Sequence, residues 1–346
     1  MEHSCSAGWS VKVKLILRTR GDARAAVPSA GLAGWADVTA RSTDLSRRGV
    51  LRLGALGALG VPAVLAACSG GYDESPDPLA PLLAMAEADA AAARKLPAGG
   101  DAAGQLADAR AAQAAALKAE VDRLNRPVST PSVPPAPADF GGFKDRLAAA
   151  RKQAEDMVPA LPAYRAGLVA SVAAGCAGLQ RIAPQLGPGE DAKPVAAPSG
   201  TVAQEAVDPL QKALAAEHAA LWVYGLVTAF LPGDFGDALK SGRAEHTARR
   251  DAVTQMISTA SATPVAPEAA YVPPKPVTDT ASAASLVASA EGDTAAAWLG
   301  VVTHTDDAGL RQMAVQALVA AARRGTPWRQ EAGEKPAAVA LPGQAG

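Results

Sequence analysis

The sequence has few aromatic residues and almost no excess of either charge. Aromatic side chains make up 4% of its 346 residues, and 33 basic residues stand against 34 acidic ones. A nucleic-acid-binding protein would show a strongly basic surface, so this balance argues against that class. Strand-forming runs of Ile, Thr, Tyr and Phe are scarce, which argues against an all-β fold, and three cysteines are too few for a disulfide framework.

Ala, Leu and Val dominate instead and bring the hydrophobic share to 49%. Ala is the best helix former, so this composition predicts an all-α protein. The charges are unevenly divided. Residues 1–67 carry nine Lys or Arg and four Asp or Glu, which leaves 24 basic and 30 acidic residues in the other 279. Neutrality is therefore an average over a basic N-terminal region and a mildly acidic body.

The basic region ends in a pattern typical of a bacterial export signal. Arg47 and Arg48 lie in S-R-R-G-V-L-R, which resembles the twin-arginine signal of Tat export. The apolar run 53–67 is too short to cross a bilayer comfortably but has the length of a signal-peptide core. It ends in L-A-A-C, which resembles a lipobox, so Cys68 is predicted to be diacylated. We therefore expect a protein held by its lipid anchor on the extracytoplasmic face of the cell membrane.

Composition also predicts how the chain is divided. Residues 1–45 show no periodic pattern and are predicted to be disordered or to precede the true translation start. The remaining predicted parts are a signal peptide at 46–67, a lipidated tether at 68–76, an N-terminal helical bundle at 77–187, a linker at 188–200, a C-terminal helical domain at 201–330 and a disordered tail at 331–346.

Pro-rich breaks separate eight predicted helices. These are expected at about 78–96, 101–124, 142–158, 162–186, 202–230, 234–260, 280–303 and 306–325. In each half, two helices are followed by a long Pro-rich crossover and two more helices. Short matches, such as D-P-L at 77 and again at 208, favour an internal duplication that pairs Gln113 with His246. One long crossover is the topology of ferritin-like bundles. We expect a ferritin-like four-helix bundle in the C-terminal half, preceded by a similar but degenerate one.

The second half carries the distinctive polar motifs. They are E-H-x-A-x-x-x-Y-G from Glu217, H-x-x-R-R-D from His246, a crossover with Tyr271, and W-R at Trp328. Together they resemble an actinobacterial family of ferritin-like domains of unknown function, the DUF4439 type, over about residues 202–330. The resemblance implies the fold and carries no settled activity. The residues expected in a buried polar cluster, or as ligands, are Glu217, His218, Tyr224, Glu245, His246, Arg249, Arg250, Asp251 and Glu291.

Three interpretations of these residues stay open. In a di-metal bundle, Glu217, His246 and Glu291 would bind iron or manganese, but the usual Glu-x-x-His pairs are missing. Glu245 and His246 are adjacent, about 100° apart around the helix, so they cannot both point inward. Alternatively His246, with Arg249 or Arg250, pairs with the two carboxylates in a polar core without a cofactor. In the third interpretation the charges face water.

The patterns favour a non-enzymatic, lipid-anchored helical protein with a binding or scaffolding role. Its partner would be another protein or a second copy of the chain, and no cofactor is predicted. The alternative is a metal-binding oxidase or iron-handling protein that uses Glu217, His246 and Glu291. The sequence has no phosphate-binding Gly-rich loop, no G-x-S-x-G and no metal-spaced Cys pair. The first half offers hardly any ligands, so it is predicted to be a scaffold.

Overall fold

The computed structural model of the chain describes residues 75–96, 101–127, 130–189, 197 and 200–344. The predicted export signal, with Arg47, Arg48 and Cys68, lies outside the described residues. From Asp73 onward the chain forms one compact unit. The all-α prediction is confirmed, since every regular element in the described ranges is a helix. The eight α-helices are α1 Ala80–Ala93, α2 Asp101–Leu124, α3 Phe140–Met157, α4 Ala163–Leu179, α5 Gln204–Leu226, α6 Gly236–Thr259, α7 Thr280–Thr303 and α8 Ala308–Glu331.

Aspartate side chains fix the start of several helices. Asp139 accepts a hydrogen bond from the Gly142 amide at the start of α3, at 2.8 Å. Asp279 and Ser282 form a reciprocal capping box at the start of α7. Because the first amides of a helix have no partner within it, such caps settle where each crossover ends and the next helix begins.

The helices pack in neighbouring pairs. The pairs α1/α2 and α3/α4 belong to the first half, and α5/α6 and α7/α8 belong to the second. Helix α4 also packs against α7 and α8, so the two halves meet along these three helices. One hydrophobic core contains side chains from all eight helices. The two halves therefore share a core, and each bundle completes the burial of the other.

A second, smaller hydrophobic cluster lies at one end of the second half. It combines Val223 and Tyr224 of α5, Leu239 of α6, Val287 of α7 and Trp328 of α8. The same four helices contribute to the main core at their other ends. A polar layer with the buried residues Glu217, His246 and Glu291 separates these two apolar regions. This layer holds the candidate functional site.

Helix α8 is longer than the sequence predicts. The expected end was residue 325, before Thr326 and Pro327, but the helix runs on to Glu331. Proline inside a helix removes a backbone hydrogen bond at a cost of about 3 kcal/mol. Here the ring of Trp328 is buried and stacks on Phe235 with centroids 5.4 Å apart, so packing of the last turn outweighs the local propensity.

The tail is ordered, and the prediction of a disordered segment at 331–346 is wrong for its described part. The tail packs on the first half of the protein. Gln113 Nε2 donates to the carbonyl oxygen of Ala340 at 2.8 Å, and Ser171 Oγ donates to that of Pro342 at 2.9 Å. The tail is Ala- and Pro-rich and has no helical periodicity, so its sequence showed no sign of these contacts.

Candidate functional site: a buried ion cluster

Two carboxylates and an imidazole form the centre of the polar layer. Nδ1 of His246 on α6 lies 2.6 Å from Oε2 of Glu217 on α5. Its Nε2 lies 3.1 Å from Oε1 of Glu291 on α7. All three side chains are fully enclosed. A proton must lie between each ring nitrogen and the carboxylate oxygen that it faces, so with both carboxylates ionised the ring is the doubly protonated imidazolium.

Neutral donors complete the hydrogen bonding of the carboxylates. Tyr224 OH donates to Oε1 of Glu291 at 2.6 Å, and Trp298 Nε1 donates to Oε1 of Glu217 at 2.7 Å. Both aromatic side chains are buried. A buried carboxylate without partners is costly, and these donors supply part of what water would provide.

Arg324 of α8 brings a second cation into the cluster. Its Nε and Nη2 donate to Oε1 and Oε2 of Glu291, at 2.9 and 3.1 Å. Its Nη1 donates to Oε2 of Glu245. The same oxygen of Glu245 accepts a bond from Nη2 of Arg249 at 2.8 Å. The network thus balances three carboxylates, Glu217, Glu245 and Glu291, with the three cations His246, Arg249 and Arg324.

The charges hold one another in the ionised state. Burial alone would raise the pKa of Glu291, but the charges of Arg324 and His246 and their hydrogen bonds outweigh it and hold that pKa well below its usual range. Burial also opposes ionisation of Glu217, yet its bond to His246 leaves its pKa lowered. Burial would lower the pKa of His246, but the two carboxylates raise it above 6.5.

Burial and the Glu291 charge raise the pKa of Tyr224 well above its ordinary value, so this phenol stays a donor. Burial also raises the pKa of Asp293, two residues after Glu291 on α7, to about 6. Nearby charges do not offset that effect at Asp293. The contrast indicates that burial without cationic partners raises the pKa of a carboxylate on this helix, and that the cations of the cluster lower the pKa of Glu291 instead.

These residues do not fit a di-metal centre. Every oxygen of Glu217 and Glu291 already accepts a hydrogen bond from a protein donor. Both ring nitrogens of His246 face carboxylates, and Arg324 places a fixed positive charge beside Glu291. Within the described ranges, no group of three or more His, Cys, Asp or Glu side chains is arranged to hold a metal ion. The donor set supports a cluster in which protein cations balance the carboxylates.

The structure brings only some of the predicted residues together. Glu217, Tyr224, His246 and Glu291 meet at the centre, and Glu245 and Arg249 join them from the solvent side. Three predicted residues lie elsewhere. His218 Nε2 lies 3.2 Å from the carbonyl oxygen of Val265 in the crossover, and Arg250 pairs with Asp251 on the surface. The expectation that Arg249 or Arg250 bonds directly to the central carboxylates is corrected, because Arg324 makes those bonds.

Sequence reasoning missed Arg324 and the indole of Trp298. Arg324 lies near the predicted end of its helix, where a charged residue usually faces water. The clue available for Trp298 was its spacing from Glu291. The two residues are seven positions apart on α7, which places them on the same side of the helix. Neither clue identifies a hydrogen-bond partner on another helix.

The first half holds a polar cluster of its own, which the sequence did not predict. Nε and Nη2 of Arg110 donate to Oδ2 of Asp89 at 3.1 and 2.8 Å. Its Nη1 donates to Oε1 of Gln113 at 2.5 Å and to Sγ of Cys176 at 3.3 Å. All four side chains are buried. Gln113, which the repeat pattern pairs with His246, thus lies in the polar cluster of its own half.

Comparisons with known proteins match the second half of the chain. Residues 209–346 match the family model of DUF4439, a domain of unknown function. A crystal structure of a conserved hypothetical protein from Mycobacterium tuberculosis is 35% identical. That match covers 37% of this chain and 98% of the other chain, with a TM-score of 0.36. A search of curated proteins found no match. The family match runs to residue 346, past the predicted domain end at residue 330.

None of the helices in the described part of the chain is both long and apolar enough to cross a membrane.

Proposed function

We propose that this protein is a lipid-anchored helical bundle on the extracytoplasmic face of the cell membrane, with a binding or scaffolding role and no catalytic centre. The single observation that carries the non-enzymatic part is the saturation of the central carboxylates. Glu217 and Glu291 are bonded by His246, Trp298, Tyr224 and Arg324, which leaves neither carboxylate available to take up a proton or a metal ion.

The anchored location is supported by the order of the sequence motifs. Arg47 and Arg48 precede the apolar run 53–67, and Cys68 ends it in L-A-A-C. Lipidation of a cysteine needs a thiol next to small residues, and this segment supplies both. The Tat route exports folded proteins, so the compact unit from Asp73 would fold before export. It would then bind its partner outside the cytoplasm.

Metal content tests the non-enzymatic part of the proposal. The protein is expressed with added iron and manganese, purified, and analysed for bound metal beside Glu217→Ala. Glu205→Ala is the matched control, because Glu205 is an exposed carboxylate on the same helix. We expect far less than one metal ion per chain in all three proteins. Near-stoichiometric metal that Glu217→Ala loses and Glu205→Ala keeps would establish the metal-binding alternative.

Membrane fractionation tests the anchor separately. Cys68→Ala should release the protein from the membrane fraction and abolish incorporation of a labelled fatty acid. Cys5→Ala is the control, because Cys5 precedes the predicted signal and should be removed with it. If Cys68→Ala stays in the membrane fraction and still carries lipid, the anchor is assigned to the wrong residue.

A further inference from the structure

Two arginines share one carboxylate oxygen at the solvent side of the cluster. Arg249 of α6 and Arg324 of α8 both donate to Oε2 of Glu245. The side chains of the two arginines are 13% and 14% exposed. One acceptor atom therefore serves both guanidiniums at the point where they face each other.

Glu245 differs from the other carboxylates in its exposure. Its side chain is 43% exposed, whereas those of Glu217 and Glu291 are fully buried. A half-exposed Glu side chain retains several rotamers, and it can leave this position without unfolding the helix that carries it. The place that Glu245 occupies is thus open to solvent on one side and bounded by two cations on the other.

The donors of this pair are incompletely used. A guanidinium offers five N–H donors in a planar fork. Nη1 of Arg249 is buried and has no hydrogen-bond partner among the described residues. Most buried donors in folded proteins are paired, so this one is an unmet donor next to a replaceable acceptor.

The charges also favour an added anion. Burial lowers the pKa of Arg249, and the neighbouring Arg324 lowers it further, so these two cations repel each other. If Glu245 swings outward, two carboxylates and three cations remain in the cluster, an excess of one positive charge. Glu217 and Glu291 lie deeper and are already paired, so they would keep an entering anion at the mouth of the cluster.

We propose that Arg249 and Arg324 form a binding site for the carboxylate group of a small molecule or peptide, and that Glu245 occupies this site when no ligand is bound. A planar carboxylate matches the guanidinium fork and can pair with two donors at once. It would accept from Nη1 of Arg324 and from both terminal nitrogens of Arg249, including the one that Glu245 leaves unpaired. This site goes beyond the proposed function, since neither the anchor nor the metal-free cluster requires it.

Acetate titration of the full-length protein tests the site. The probe is sodium acetate, with sodium chloride at matched ionic strength as the reference and sodium phosphate as a second oxyanion. Binding is followed by NMR of the arginine Nε–Hε signals. Glu245→Gln removes the competing carboxylate, and Asp251→Asn is the matched control, a 62%-exposed carboxylate on the same helix that pairs with one arginine.

We expect Glu245→Gln to bind acetate at least about tenfold more tightly than the wild type, because an internal competitor that fills a site nine-tenths of the time weakens the apparent affinity by that factor. Asp251→Asn should behave as the wild type. Adding Arg249→Gln to Glu245→Gln should abolish the gain. Glu245→Asp keeps the charge but moves it one methylene away from the two arginines, so it should also bind acetate. This variant replaces Glu245→Gln in the test if Glu245→Gln does not fold.

The proposal is overturned if the folded Glu245 variants bind acetate no better than Asp251→Asn. It is also overturned if phosphate binds the Glu245 variants and acetate does not, because the site would then select another oxyanion. The metal and anchor experiments do not depend on either result, so a failure here is distinguishable from a failure of the proposed function.

Discussion

The guanidinium of Arg324 donates to both carboxylate oxygens of Glu291, from Nε at 2.9 Å and from Nη2 at 3.1 Å. This two-point contact joins α8 to α7 in the middle of the second bundle. It places a permanent positive charge beside the carboxylate that a metal ion would need as a ligand. The account of the cluster as a set of protein ions depends on this pair and on His246.

Removing the guanidinium should strongly destabilise the fold. Arg324→Met keeps a long apolar side chain but leaves Glu291 with one cation fewer in a buried setting. Breaking a buried ion pair typically costs about 3–5 kcal/mol. Urea denaturation of Arg324→Met should show a loss of this order. Arg250→Met, which breaks the surface pair with Asp251, should cost only about 0–1 kcal/mol. Equal losses in the two variants would contradict the buried pair.

The indole of Trp298 should matter through its N–H as well as through its packing. Trp298→Phe keeps an aromatic ring but removes the donor to Oε1 of Glu217, and an unpaired buried acceptor costs about 1–3 kcal/mol. Thermal unfolding gives the measurement. Trp222→Phe is the control, because that half-buried ring packs beside Tyr271 at the surface of the bundle. A Trp298→Phe variant as stable as Trp222→Phe would remove the indole from the cluster.

Stability should depend on pH through His246 and the central carboxylates. The pKa of His246 is raised above 6.5 in the folded state, so its contribution is complete below pH 6.5 and is lost as pH rises through the folded-state pKa. The pKa values of Glu217 and Glu291 are lowered below 4.5. Their contribution is complete above pH 4.5 and is lost as pH falls through the folded-state values.

The measurement is the free energy of unfolding of the wild type and of His246→Gln across about pH 4 to 9. The advantage of the wild type should shrink as pH rises above 6.5. Asp293, whose pKa is raised to about 6, titrates in both proteins, so its effect largely cancels in the difference. A difference that stays constant from acid to alkaline pH would show that His246 is not charged in the fold.

The tail should be sensitive to a single methyl group on α4. A Cβ added at Gly175 would collide with the carbonyl oxygen of Ala340 and with the amide of Gln113. Replacing Gly by Ala inside a helix normally stabilises by about 1 kcal/mol, and Gly104→Ala, which meets nothing within 4 Å, should do so. Gly175→Ala should destabilise instead and expose the tail to protease. Equal stabilisation by both variants would show that the tail does not lie on α4.

Most helices were predictable from the sequence to within a few residues, because Pro-rich breaks and Ala-rich runs are local signals. Helix α4 is an exception, since it ends at Leu179 and not at the predicted residue 186. The length of α8 was not predictable either, since the burial of Trp328 against Phe235 is a tertiary contact. The ordered tail could not be predicted for the same reason. Its partners, Gln113 and Ser171, lie more than 150 residues away in the chain.

Part of the site was also predictable. Helical spacing within single segments places Glu217 with Tyr224, and it separates His246 from Glu245. Which arginine bonds to Glu291 was not predictable. Spacing defines which residues share a face of one helix, but it does not tell which helix places a cation beside the buried carboxylates. Arg249 and Arg324 reach the same carboxylate oxygen from different helices. The cluster of the first half was missed because Asp89 lies in an alanine-rich run that also holds Glu87, so nothing in the run singles it out. The repeat had nevertheless paired Gln113 with His246.

The protonation state of His246 tests the central claim most directly. The account predicts that more than half of His246 is doubly protonated at pH 6.5, which is the ordinary pKa of histidine. Both ring N–H groups are then bonded to carboxylates. Nitrogen NMR of the labelled imidazole reads this state, and Glu217→Gln should reduce the protonated fraction. A largely neutral ring at pH 6.5, or a ring nitrogen whose signal shifts when iron or manganese is added, would contradict a cluster built from protein ions alone.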